Sequence, residues 1–255
     1  MGVLLRRITQ HIKDQNWTAV VLDFVIVVVG VFIGIQVANW NNDRVERIEL
    51  VDQLSSLHAE FSENLIRFET YRDQLDGQIK DITSLRRIVA GDDQQVEMAE
   101  IDRQLVTVTG IPVFSVDRTT LDELSANGSF RQLSKYELRA PLVAWGQAYK
   151  ALRRRESDSI EQRNNTFLPY IIDELSFGAI GERYAYFNDD IAASPFRNTH
   201  EMLQGNRKLD NLLVLRLATI SASREYLNAL YEQTQIAIAR LEAEGFGDES
   251  QLPNL

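Results

Sequence analysis

The run from Trp17 to Trp40, WTAVVLDFVIVVVGVFIGIQVANW, carries a single formal charge, at Asp23. No other segment constrains the chain as strongly. At about 1.5 Å per residue, a helix over this run is roughly 34 Å long, slightly more than the roughly 30 Å of hydrocarbon in a bilayer. Trp17 and Trp40 have the amphipathic rings that settle at the two membrane interfaces. The alternative is a secretory signal peptide, with an apolar stretch of about 7–15 residues ending in an A-x-A pattern. This run is longer, and its one cleavage candidate is Ala38 with Gln36 before it. Residues 17–40 are therefore read as an uncleaved transmembrane helix.

Lysine and arginine close to a span set its orientation. Segment 1–16 holds Arg6, Arg7 and Lys13, whereas Arg44 and Arg47 beyond the span are diluted by Asp43, Glu46 and Glu49. The expected topology is single-pass, with the N-terminus cytoplasmic and residues 41–255 outside. In a bacterium this means an inner-membrane anchor and a periplasmic domain. Val3, Leu4, Ile8 and Ile12 separate from the basic residues on a helical projection. The segment therefore reads as a short amphipathic helix along the anionic leaflet, or as a frayed basic tail.

The first 40 residues hold three Lys/Arg and two Asp/Glu, a net +1, so −11 of the chain's −10 total lies beyond them. An acidic domain is repelled by nucleic-acid phosphates, which argues against a nucleic-acid partner. The chain has no cysteine, which removes disulfides, thiolate catalysis and Cys-ligated metals. Residues 41–255 are enough for one good-sized domain.

Past Trp40 the pattern is helical. Leu54, Phe61, Phe68, Leu75, Ile79 and Ile82 recur at spacings of three, four or seven, one apolar stripe on a long helix. Neither Pro nor Gly interrupts between Gly34 and Gly77, so the membrane helix is expected to continue into a stalk that stops near Gly91. A helix over 96–108 and an extended connector over 111–117 follow. Capping boxes at Thr120–Glu123 and Ser134–Glu137 open two more helices, the second reaching toward Phe167 with Pro141 inside it and Pro169 ending or bending it. Residues 176–205 are the least regular. The last long helix covers about 206–244, with Leu209, Leu213, Leu217, Ile220, Leu227, Leu230, Ile236 and Leu241 on its buried side. The fold class expected is all-α: one transmembrane helix continuing into an antiparallel helical bundle.

Catalytic signatures are missing. There is no G-x-S-x-G, Walker loop or H-E-x-x-H, and Gly178-Ala-Ile-Gly181 is too short for a phosphate loop. Of the three histidines, His58 has Glu60 and Glu63 nearby, but not at the i+4 spacing of a helical metal pair. The reading is a non-enzyme with no cofactor and no metal. Arg131, Arg139, Arg153, Arg154 and Arg155 form a candidate anion patch, against the simpler reading of a solvated face. Projected at 100° per residue, Ala19, Asp23, Gly30, Gly34 and Asn41 share one face of the span. Gly30 and Gly34 make a G-x-x-x-G, which lets helix backbones approach closely in lipid. Asp23 on that face is expected to meet protein, water or a basic group rather than acyl chains. Gln36 lies on another face, where it can bond a second partner.

The string Gly30-Val-Phe-Ile-Gly34-Ile-Gln36-Val-Ala-Asn39-Trp40-Asn41 resembles the end of the span in a bacterial family of uncharacterised single-span membrane proteins, a domain of unknown function. A second segment, Thr120-Leu-Asp-Glu-Leu-Ser-Ala-Asn-Gly128-Ser-Phe-Arg-Gln-Leu133 followed by Glu137-Leu-Arg139, is similar to that family's T-x-x-E-L-x-x-x-G motif. Asp23 departs from the family's usual glutamate. The resemblance implies the topology above and no activity. Two functional classes follow. One is a structural or accessory subunit, packing in the membrane against its own copies or a larger complex. The other is a periplasmic sensor-like module signalling down the stalk. The short inner segment, with no room for an output domain, favours the first.

Overall fold

A computed structural model describes residues 17–93, 95–126, 128–184 and 192–247, and among them every regular element is helical, with no strand. The amphipathic reading of 1–16, with Arg6, Arg7 and Lys13, lies outside the described residues, as do the side chains of Trp17, Ala19 and Arg131. Helix α1 runs over Trp17–Ala90, α2 over Met98–Thr109 and α3 over Thr119–Ala126. A 3-10 segment, Ser129–Tyr136, leads to α4, Arg139–Gln162. A π-turn, Arg163–Phe167, joins α4 to α5, Leu168–Glu174; α6 is Phe177–Gly181, α7 is His200–Leu203 and α8 is Arg207–Ala243. The chain divides between Asp52 and Gln53 into two compact units.

The first unit contains the apolar part of α1. It is the one helix, among the described residues, long and apolar enough to cross a membrane, with a mean hydropathy of 2.7 over its best window and none of that window buried. Phe24, Phe32 and Trp40 are each exposed over 60 % or more of their surface. In water, an apolar surface of this extent marks an interaction site.

In the second unit α1 buries Leu54, Leu57, Phe61, Asn64, Phe68, Tyr71, Leu75, Gln78, Ile82, Leu85 and Val89. These positions alternate steps of three and four, the 3.5-residue period of a coiled-coil seam. Along α8 the same alternation holds from Leu209 through Leu213, Arg216, Ile220, Ser223, Leu227, Leu230, Thr234 and Ala237 to Leu241. Gln78 rather than Ile79 takes the seam position on α1, and Ile79 is half-buried. On α8, Leu217 is half-buried and Ile236 is exposed, because Arg216, Thr234 and Ala237 hold the register. Four polar pairs join the two helices: His58–Glu242 at 3.3 Å, Tyr231–Glu69 at 3.1 Å, Arg224–Asp76 at 2.8 Å and Arg86–Asp210 at 2.8 Å. Helix α4 packs along α8, where Trp145 donates to Thr234 Oγ1 at 2.8 Å and stacks on Phe61 at 5.0 Å between ring centroids.

The helix ends have local causes. Gly91 adopts φ 86°, and the amides of Gly91 and Asp92 return to the carbonyls of Ile88 and Arg87, a Schellman stop for α1. Asn206 caps α8 through Leu209 N at 3.0 Å. The expected capping box at Thr120–Glu123 is replaced. Helix α3 starts at Thr119, whose amide donates to Asp117, and the amide of Thr120 donates to Glu60 on α1 at 2.6 Å. The Ser134–Glu137 box gives way to the 3-10 segment, since Glu137 sits at φ 50°, outside helical space. Pro169 does not end the helix. It has no N–H to donate to Asn165, and the preceding turn opens to π geometry, with Leu168 N bonded to Arg163 O.

Candidate functional site: a capped helix end and its cavity

The C-terminus of α2 points into the second unit rather than into water. The last four carbonyls of any helix have no intrahelical donor, and the amide that would serve Val108 belongs to Pro112, which has none. Side chains from three other elements supply the missing donors. Gln78 Nε2 of α1 donates to Thr107 O at 2.6 Å and to Gly110 O at 2.9 Å. Arg216 of α8 donates to Val108 O at 3.1 Å and to Gly110 O at 3.0 Å, and its Nη1 reaches Ser159 O and Oγ at 3.1 and 2.8 Å. Arg163 of the π-turn donates to Thr109 O at 2.8 Å. Two cations at the negative end of a helix dipole is the favourable sign. The connector after α2 is held the same way. Asn64 exchanges two hydrogen bonds with the backbone of Asp117, at 2.7 and 2.9 Å. The polar members of the α1 seam therefore satisfy the backbone of the chain crossing it.

Beside this cap is a cavity of about 200 Å³. Its polar wall includes Gln78, Arg216, Glu156 and Ser159; its apolar wall includes Leu75, Phe114 and Ile160. Arg216 is 1 % exposed and makes no ion pair among the described residues. Burial, with the neighbouring Arg163 charge, pushes its pKa down to about 10. Glu156 is buried and pairs with Arg153 at 2.7 Å; burial raises its pKa, against the pull of Tyr71 and Arg153. Tyr71 is raised too, by burial and by the adjacent Glu156. Gln78 Oε1 is buried and has no hydrogen-bond partner among the described residues.

The described members of the candidate anion patch, Arg139, Arg153, Arg154 and Arg155, are not gathered into one site. Arg139 opens α4 and lies about 21 Å along its axis from Arg153. Arg153, Arg154 and Arg155 are consecutive, so they point about 100° apart. Arg153 is committed to Glu156, and Arg155 to Asp158 at 3.2 Å and to the ring of Tyr226. In the first unit Asp23, Gly30, Gly34 and Gln36 are all exposed on α1, and a Cβ added at either glycine meets nothing within 4 Å. Among the described residues no group of three or more His, Asp or Glu side chains is placed to hold a metal ion; His58 is engaged with Glu242. Sequence reasoning missed Gln78, Glu156 and Arg216. Their one signal was the heptad phase, which puts all three on buried faces. No protein-family model, curated protein or solved structure matches the chain.

Proposed function

We propose that this chain is a non-enzymatic, single-pass membrane protein that serves as a structural or accessory subunit. The observation that carries the reading is the uncovered apolar length of α1, which none of the described residues buries. A bilayer covers such a surface, and 17–40 has the length for it. The small-residue face with Gly30, Gly34 and Asp23 supplies the membrane contact, to a second copy or to a larger complex. The acidic second unit, read as an antiparallel helical bundle, lies on the outer side, in the bacterial periplasm, with the N-terminus cytoplasmic. Residue numbers rise along α1 and fall along α8 through the four pairs from His58–Glu242 to Arg86–Asp210, which supports antiparallel packing. The resemblance to single-span bacterial proteins supports the anchor.

Reporter fusions after Leu255 test the orientation: a periplasmic reporter is active and a cytoplasmic one silent, and the reverse sinks it. A membrane-dimerisation reporter tests the contact. Gly30→Ile with Gly34→Ile places branched side chains where backbones meet and weakens association. Unchanged association assigns that face to lipid. A second reading, a ligand-responsive module, is favoured by one observation, the cavity beside Arg216.

A further inference from the structure

One formal charge stands inside the apolar length of α1. Asp23 is the sole Asp, Glu, Lys or Arg of residues 17–40. Its side chain is exposed, as are all the others from Val20 to Arg47, and no described residue pairs with it. With Trp17 and Trp40 at the two borders, Asp23 is about 9 Å along the helix from Trp17, roughly 7 Å inside the hydrocarbon. Sliding the helix until Asp23 leaves that layer draws Asn39, Asn41 and Asn42 into it at the other end and removes Val20, Val21 and Leu22. The carboxylate hangs on a single methylene, too short to reach the headgroups as the longer stems of Lys and Arg do. An acid held at this depth faces protein or a water-filled cavity and pairs with a cation there.

The chain has no cation to offer it. Lys13 and Arg44 are the nearest in sequence, and both lie outside the run. A second copy brings the same residues in the same orientation: one more carboxylate, no cation, and its Gln36 about 20 Å further along the helix. Self-contact on this face therefore adds a like charge instead of pairing one. The face is open to close approach, since Gly30 and Gly34 share it and a Cβ added at either meets nothing within 4 Å. We infer that the membrane partner of α1 is a different protein, whose spanning helix presents a lysine or arginine to Asp23. This deepens the accessory-subunit reading: of the second copy and the larger complex, charge selects the complex. It rests on the placement of residues 17–40 in the bilayer.

The test has two arms, both on the full chain. In phosphatidylcholine vesicles, energy transfer measures association with a synthetic Leu/Ala helix of about 24 residues carrying one Lys at the depth of Asp23. The same helix with Leu at that position is the control. The Lys helix is expected to associate at least about tenfold more tightly. Asp23→Leu, which makes the span more apolar, should lose that preference while still inserting. Equal association with the two helices overturns the proposal. In cells that natively make the protein, a photo-crosslinking residue is placed at Val27, about 40° from Asp23 around the helix, or at Val25, about 160° away. Val27 is expected to yield an adduct with another protein whose span holds Lys or Arg, and Val25 is not. Asp23→Lys should cut that adduct at least about tenfold, and changing the partner's cation to Asp should restore it. An adduct between two copies, a partner span without Lys or Arg, an adduct unchanged by Asp23→Lys, or no adduct from Val27 overturns the proposal. Carbonate extraction of the same membranes separates this inference from the reading beneath it. A chain that carbonate releases is no membrane anchor, whereas a chain that stays integral without the hetero-adduct loses only the cationic partner.

Discussion

Replacing Arg216 with methionine sets two large effects against each other. Desolvating a guanidinium is costly, and exchanging buried ions for apolar residues sometimes stabilises a protein. Here the carbonyls that Arg216 serves stay buried after it is gone, and they are not equally dependent on it. Gly110 O keeps Gln78, and Ser159 O keeps the amide of Arg163. Val108 O keeps no donor among the described residues, because residue 112 is proline. One fully orphaned carbonyl costs about 1–3 kcal/mol, and the charged bonds to Ser159 and Gly110 add to that. The relief of desolvation offsets part of it. The expected net loss is about 2–3 kcal/mol, a fall in melting temperature of roughly 4–12 °C for a domain of this size. Thermal unfolding of the full chain in detergent, followed by circular dichroism, measures it. A coupled test sharpens the reasoning. In Arg216→Met, Gln78 becomes the sole side-chain donor to Gly110 O, so Gln78→Met should cost more there than in the parent. An Arg216→Met protein as stable as the parent, or more so, would show that desolvation dominates and that the cap is dispensable.

Phe61→Ala removes a fully buried ring stacked on Trp145 and should cost about 3–5 kcal/mol, while Glu63→Ala, on the exposed face of α1, should stay within about 0.5 kcal/mol by the same assay. Gly91→Ala meets no steric neighbour, yet should cost about 1–2 kcal/mol, because φ 86° is strained for any side chain. Glu60→Gln tests a buried carboxylate whose pKa is raised, mainly by burial and with Asp117 adding to it. A raised folded pKa means that the acid favours folding below its unfolded value near 4.5 and loses that contribution as pH rises through the folded value. The glutamine variant should therefore gain stability over the parent at pH 7, and the gain should vanish below about pH 4.5, in melting curves across that range.

Much of the helical framework was legible because it depends on punctuation and period. The uninterrupted run to Gly77, the Gly91 stop and the Asn206 cap are local signals that tertiary packing left in place. The seam was legible only where it is apolar. An apolar search selects Ile79, Leu217 and Ile236, whereas the strict alternation passes through Gln78, Arg216 and Thr234. Each of these polar residues is buried because a distant backbone group or ring needs it, and no local pattern announces such a partner. The failed capping boxes have the same origin. Thr120 lost its role to a glutamate sixty positions upstream, and Glu137 entered a left-handed conformation that short-range rules assign to glycine or asparagine. The cavity was illegible for a further reason: its wall is assembled from α1, the connector, α4 and α8, and exists only once they pack.

The capping of α2 also dictates an order of events. Its terminal carbonyls wait for donors on both sides in the sequence, one about 30 residues before and others 54 and 108 after. During synthesis from the N-terminus, α1 and α2 are complete while Arg216 is still unmade. Until α8 arrives, the α1 stripe from Leu54 to Val89 lacks its α8 neighbours, and the end of α2 has only Gln78 and, once it is made, Arg163. Closing these contacts requires the longest loops in the domain, the kind of pairing that slows folding and lengthens exposure of apolar surface. Truncations before residue 216 should then yield not a smaller stable domain but a chain that chaperones and proteases recognise as unfinished.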